Sequence, residues 1–150
     1  MTRYLLDVNV LIALIDPAHV QHDTAHAWFA STGSLSWATC PLTENGVLRI
    51  VGHSRYPNSP GNPAMVAPLM AGLRALPGHV FWPDDVSLHD TQIVHQAALK
   101  NSGQLTDTYL LALACAHGGQ LATFDARLAT AAVRHGSTGL CVIGKTGNRG

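Results

Sequence analysis

The sequence predicts an α/β fold, a parallel sheet of about five strands with helices on both of its faces. Three observations predict it. Short apolar runs of strand length recur along the chain, separated by stretches whose apolar residues return every three or four positions. Glycine, proline and asparagine punctuate the junctions between them. Strands and helices alternate, which is the order a parallel sheet with crossover helices requires. With 150 residues, 47% hydrophobic and 12% charged, the chain suits one globular domain over 1–150 and is too apolar for disorder.

Taken in order, Arg3–Leu6 predicts a first buried strand, and helical periodicity then runs to Leu14, where Asp16-Pro17 breaks it. A second helix is expected from His19 to Ala30, stopped before Thr32-Gly33, and Leu35–Thr39 reads as the second strand. Pro41 suits a helix start and Leu42–Val51 continues it. His53–Pro63, with prolines at 57, 60 and 63, is a loop. The pattern then predicts a helix over Ala64–Leu76, a strand over His79–Trp82, and a helix over Asp90–Leu99. The clearest later helix is Thr106–Ala116, closed by Gly118-Gly119. Leu121–Phe124 is the fourth strand, Ala126–Arg134 a helix, and Leu140–Ile143 the last strand. The core is thus expected over about residues 3–143, with Lys145–Gly150 a flexible tail.

Composition excludes some classes of function. No apolar run approaches the roughly 18 residues of a membrane span, and no cleavable signal pattern is evident, so a soluble cytoplasmic protein is expected. Cys40, Cys115 and Cys141 are odd in number and far apart, with no C-x-x-C pair, which predicts free thiols instead of disulfides or a zinc knuckle. A formal charge of zero argues against a broad basic nucleic-acid surface. That argument weakens if four acids share one site, because the other five then face nine basic residues.

Those four acids each head an apolar helical face. Asp7 has Val10, Leu11 and Leu14 at i+3, i+4 and i+7; Glu44 has Val47, Leu48 and Val51; Asp107 has Leu110, Leu111 and Ala114; Asp125 has Leu128, Ala129 and Ala132. Residues at these offsets share one side of a helix, so the carboxylate lies along a buried face, where an unpaired charge is costly. The pattern also has a structural explanation, since acids at helix N-termini complement the dipole and cap the first turn. Asp90 illustrates it: Ile93, Val94 and Ala97 follow, yet Ser87-x-x-Asp90 reads as a capping box. What sets the four apart is position. Asp7 and Asp125 stand at strand ends, where parallel α/β sheets build their sites, and Glu44 is the only glutamate in the chain.

Two carboxylates 4 Å apart repel by about 4 kcal/mol at an effective dielectric of 20. Four together would need cations or bound protons. Oxygen ligands without histidine or cysteine suit Mg²⁺ or Mn²⁺ better than zinc. One or two such ions would hold phosphate oxygens and activate a water, which makes phosphodiester hydrolysis the natural chemistry.

The strings LLDVNVLIAL, PLTENGVLRI, TDTYLLALA and LATFDARLA, in that order, resemble the PIN-domain ribonucleases, specifically VapC-type toxins of type II toxin–antitoxin systems. GHVFWPDDVSL and HDTAHAWF are similar to the mycobacterial branch of that family. The resemblance implies a PIN-like, Rossmann-like sheet and a Mg²⁺ or Mn²⁺ site at Asp7, Glu44, Asp107 and Asp125. It further implies endonucleolytic cleavage of RNA of the tRNA or rRNA class, a cognate VapB-type antitoxin, and a homodimer. Many relatives carry alanine where Thr108 follows the third acid here, a change expected to matter little.

Further candidates surround the acids. Asn9 would orient a metal-bound water or cap the first helix, Asn45 lies beside Glu44, and Arg49 would pair with Glu44, meet a phosphate or simply lie exposed. Thr123, two before Asp125, is placed to hydrogen-bond the cluster. His19, His22 and His26 share a helical face, but no fourth ligand completes a zinc set. Trp28, Trp37 and Trp82 read as core or interface aromatics. Two other functions compete: a non-catalytic PIN-like interaction module whose acids only cap helices, and a Mg²⁺-dependent phosphatase with Asp7 as nucleophile. Asn9 stands where the second acid of a phosphatase D-x-D motif would be.

Overall fold

The computed structural model describes residues 1–144; the tail expected at Lys145–Gly150 lies outside the described residues. Five parallel strands form one sheet: β1 (Tyr4–Leu6), β2 (Trp37–Thr39), β3 (His79–Phe81), β4 (Gln120–Thr123) and β5 (Leu140–Val142). Their order is β3-β2-β1-β4-β5. The chain winds outward from β1 through β2 to β3, then returns to place β4 on the other side of β1. The topology therefore reverses between β1 and β4, the position where sheets of this kind open a crevice beyond the strand ends.

Helices α1 (Val8–Ile15), α2 (His22–Ser31), α3 (Pro41–Val51), α4 (Pro63–Arg74) and α5 (Leu105–Ala116) cover the sheet. Adjacent residues of a strand point to opposite faces, and β1 shows the consequence. Leu6 packs with Val10, Leu11, Phe29, Val47, Val66 and Met70 from the first four helices. Leu5 packs instead with Leu110, Leu111 and Leu113 of α5. Both leucines are fully buried, each stabilising the fold by about 1.5–3 kcal/mol relative to exposure. The expected two-faced parallel sheet is the architecture observed.

Capping fixes the helices that carry the acids. Asp7 is the N-cap of α1, and its Oδ1 accepts the Val8 N–H at 2.8 Å. Pro41 opens α3 at its first position, and Cys40 and Thr43 exchange capping hydrogen bonds there. The far end of α1 is closed from α2. His22 Nδ1 lies 2.7 Å from Ala13 O and His26 Nε2 2.8 Å from Leu14 O, and a carbonyl only accepts, so both rings donate. These two histidines are thus spent on a helix end and do not form a zinc face. Asp16, just after α1, accepts from Ala18 N, Asn58 Nδ2 and the Tyr56 hydroxyl, which fastens the 53–63 loop. Burial pushes its pKa up, but these hydrogen bonds together hold it below the ordinary value.

Two expected helices do not form. Asp90–Leu99 consists of turns ending in one short 3₁₀ turn, Gln96–Ala98, and Ala126–Arg134 is also turns. The backbones of these two segments bond each other instead. Val94 and Val133 form an antiparallel bridge, His95 N donates to Ala132 O at 2.8 Å, and Arg134 N donates to Ile93 O at 2.9 Å. Val94 and Val133 are buried beside α5, so tertiary pairing of β-branched residues overrides a marginal helical periodicity. The Ser87–Asp90 capping box consequently caps nothing: Asp90 Oδ1 accepts Gln92 N in a local turn. Smaller shifts occur at element ends, α2 starting at His22 and β4 ending at Thr123.

Candidate functional site

Asp7 directly follows β1, and its N–H still donates to Ala122 O of β4 at 3.0 Å. The side chain is therefore set over the point where the topology reverses. It is 8% exposed, with Oδ1 on Val8 N and Oδ2 accepting the Thr123 hydroxyl at 2.9 Å. Burial raises its pKa, the two hydrogen bonds oppose the rise, and the charge of Asp125 adds to it. Thr123 ends β4 and is itself buried; its oxygen also accepts Asp125 N at 3.1 Å.

Asp125 therefore belongs to a tight turn after β4, with Oδ1 accepting Arg127 N at 2.9 Å, and does not begin a helix. Asp107 lies in the first turn of α5, half-buried. Its pKa is raised first by burial and then by the charges of Asp7 and Asp125. Three aspartates from three separate elements thus sit within one another's electrostatic reach.

Glu44 is placed differently. It occupies the first turn of α3, and its Oε2 takes Arg74 Nε at 3.0 Å and the Thr39 hydroxyl at 2.6 Å. Thr39 Oγ1 also lies 2.7 Å from His79 Nε2. Its single proton goes to Glu44, so His79 must be the donor in that contact. Among the described residues, no group of three or more acidic, histidine or cysteine side chains is gathered closely enough to hold a metal ion as it stands.

The three aspartates nonetheless fit a hard divalent ion. They offer only oxygen, and burial and mutual repulsion leave Asp7 and Asp107 short of compensating charge. Mg²⁺ is commonly held by one or two carboxylates and retained waters, so a closed cage is not required.

Asn9 is exposed in the first turn of α1, where Asp7 takes the capping role. Asn45 and Arg49 are exposed too, and Arg49 lines a groove with Ile50, His53, Arg55, Tyr56 and Pro57. The cation on Glu44 is Arg74, not Arg49. Arg74, Thr39 and His79 are the neighbours that the sequence did not single out. A signal for Arg74 was present: Ala67, Met70, Ala71 and Arg74 lie at i, i+3, i+4 and i+7 and line one cavity with Glu44 and Leu48. That is the apolar face headed by an acid in mirror image, ending in a base. Trp37 is fully buried, Trp82 nearly so, and Trp28 packs edge-on against Tyr4. The three cysteines are free.

Residues 4–134 match the PIN domain family model. The chain is 44% identical to Ribonuclease VapC44 of Mycobacterium tuberculosis over 87% of its length and 92% of that protein. It is 45% identical to Ribonuclease VapC39 of the same organism, over 85% of this chain and 92% of the relative. Among solved structures, FitAB bound to an IR36 DNA fragment superposes with a TM-score of 0.57 at 19% identity, covering 93% of this chain and 94% of that one. VapBC2 from Rickettsia felis, bound to a promoter DNA fragment, gives 0.53 at 10% identity, covering 84% and 90%. At such identities the two structures speak for the fold alone.

Proposed function

The chain belongs to the PIN-domain family as a VapC-type ribonuclease toxin, and on that premise we propose that it cleaves RNA endonucleolytically with a divalent cation held at Asp7, Asp107 and Asp125. One observation carries the reading. Asp107 is destabilised as an anion first by burial and then by Asp7 and Asp125, at the C-terminal edge of a parallel sheet where its topology reverses. Charges assembled against their own repulsion are what a cation site requires. Mg²⁺, or Mn²⁺ in its place, supplies positive charge for the phosphodiester oxygens and makes water a competent nucleophile near neutral pH.

The protein's own share is positional. Thr123 holds one oxygen of Asp7 and the Val8 amide the other, so this carboxylate is fixed before substrate arrives. Asp125 is oriented by the same threonine through its backbone. Glu44 is the fourth acid, engaged with Arg74 in the resting arrangement. Asn9, Asn45 and Arg49 are exposed and serve as candidate substrate contacts.

A VapB-type antitoxin, a homodimer and an RNA of the tRNA or rRNA class complete the proposal. They are supported by membership of the VapC branch. A cytoplasmic site of action belongs to the same proposal; no helix among the described residues is long and apolar enough to cross a membrane. Of the two competing readings, the non-catalytic module has the capping of α1 by Asp7 in its favour, but Asp125 begins no helix, and among the described residues nothing favours the phosphatase.

The test is cleavage of cellular RNA by purified protein in Mg²⁺ and in EDTA, with new 5′ ends mapped by sequencing. Asp7→Asn and Asp125→Asn should each lose about a hundredfold or more of the rate. Wild-type cleavage by Asp7→Asn would overturn the assignment, and full activity in EDTA would overturn the metal.

A further inference from the structure

Glu44 is the acid of the four whose charge is already answered. Arg74 Nε and the Thr39 hydroxyl both converge on Oε2, and His79 supports Thr39 from behind. The Arg74 guanidinium also rests over the Phe81 ring, 5.3 Å from its centroid. The pair is open to solvent, with Arg74 43% and Glu44 21% exposed. A cavity of about 170 Å³, lined by Glu44, Leu48, Ala67, Met70, Ala71 and Arg74, gives the guanidinium room to turn aside.

We propose that Arg74 is a latch on the fourth acid, an internal cation that occupies Glu44 until a divalent ion at the aspartates draws the carboxylate away. The inference rests on the metal-site reading above. Its physical basis is competition. A partly exposed ion pair is weak, whereas a divalent ion among uncompensated carboxylates exerts a stronger pull on an anion that can reach it. Arginine keeps its charge at every working pH, so the latch is always present and taxes cation binding. Three aspartates then begin the site, and Glu44 joins it only on exchange of partners. Arg74 is in this account a positioning residue that acts through Glu44.

The test is isothermal titration of the purified protein with Mg²⁺, alongside the Mg²⁺-induced rise in Tm, neither of which depends on RNA cleavage. Arg74→Gln should tighten Mg²⁺ binding about two- to fivefold, the range that loss of an exposed ion pair supports. Arg74→Lys should stay near wild type. In a Glu44→Gln background, Arg74→Gln should give no gain, because nothing remains to be released. Unchanged or weaker binding by Arg74→Gln would overturn the latch, and so would the same gain in the Glu44→Gln background, which would mark a general field effect. If wild type and all variants bind no Mg²⁺, the metal-site reading falls and the latch with it. Binding by wild type without gain in Arg74→Gln overturns the latch alone.

Discussion

The Thr123 hydroxyl donates to Asp7 Oδ2 at 2.9 Å, joining the end of β4 to the carboxylate that follows β1, 116 positions away in the chain. The bond spans the two strands between which the topology reverses. It also opposes the rise that burial forces on the Asp7 pKa.

Thr123→Val removes that donor and the acceptor of Asp125 N while keeping the shape. A buried carboxylate loses a partner, which costs about 1–3 kcal/mol of stability. The Asp7 pKa should rise further, and RNA cleavage should fall with it. Thr123→Ser keeps the hydroxyl and should stay near wild type in urea unfolding. Equal stability of the valine and serine variants would show that the bond holds nothing.

Asp107→Asn removes a carboxylate whose folded-state pKa lies above 3.8. The folded protein binds this proton more tightly than the unfolded chain, so the ionised group is a liability at neutral pH. As pH falls through the raised pKa toward 3.8, the folded state takes up the proton first and the liability fades. The asparagine variant should therefore exceed wild type in Tm by a few degrees at pH 7 in EDTA. The gap should close on acidification. A gap that is constant or grows toward pH 4 would contradict the shift.

Magnesium should stabilise the protein in a pH-dependent way, because protons compete for the same carboxylates. At a hundred times its dissociation constant, a ligand specific to the folded state adds about 2.7 kcal/mol. In a chain of this size each kcal/mol raises Tm by about 2–4 °C. The Mg²⁺ midpoint should rise as pH falls toward the elevated pKa values of Asp7 and Asp107. Thermal scans across Mg²⁺ concentrations at pH 8, 7, 6 and 5 measure it, and a midpoint independent of pH would argue against aspartate ligands.

The sheet was legible in the sequence because each strand is a short apolar run bounded by turn residues, and burial on both faces leaves that imprint. Asp7 was legible because it immediately follows such a run. The turns at 90–99 and 126–134 were not, since a period of apolar residues does not distinguish a helix from two segments that pair across about 40 positions. Asp125 was thus singled out for a partly mistaken reason: its following apolar residues are not one helical face. The Glu44–Arg74 pair joins residues 30 apart on two helices. Local spacing pointed to Arg49, and only the packing of α3 on α4 decides for Arg74.

His22 and His26 supply a test of α1's far end. Each donates to a carbonyl that the helix leaves open, at Ala13 and Leu14. Removing either ring by His22→Ala or His26→Ala should cost about 0.5–1.5 kcal/mol. Zinc should leave the wild-type Tm unchanged, and a zinc-dependent rise lost in both variants would restore the metal reading of this face.

Gly46 sets how closely α3 approaches α1. A Cβ there would stand 2.9 Å from Val8 Cγ2, closer than methyl contacts allow. Gly46→Ala should therefore cost about 1–3 kcal/mol by overpacking. The site should feel it as well, because Val8 carries the amide that holds Asp7 Oδ1 and Gly46 lies two residues after Glu44. Forcing the helices apart moves two acids from two elements at once, so the Mg²⁺ midpoint should rise along with the loss of stability. Val8→Ala opens the space that the new methyl needs, and the double variant should recover both quantities toward wild type. If Gly46→Ala loses stability but keeps the wild-type Mg²⁺ midpoint, the approach of α1 and α3 supports the core without setting the site.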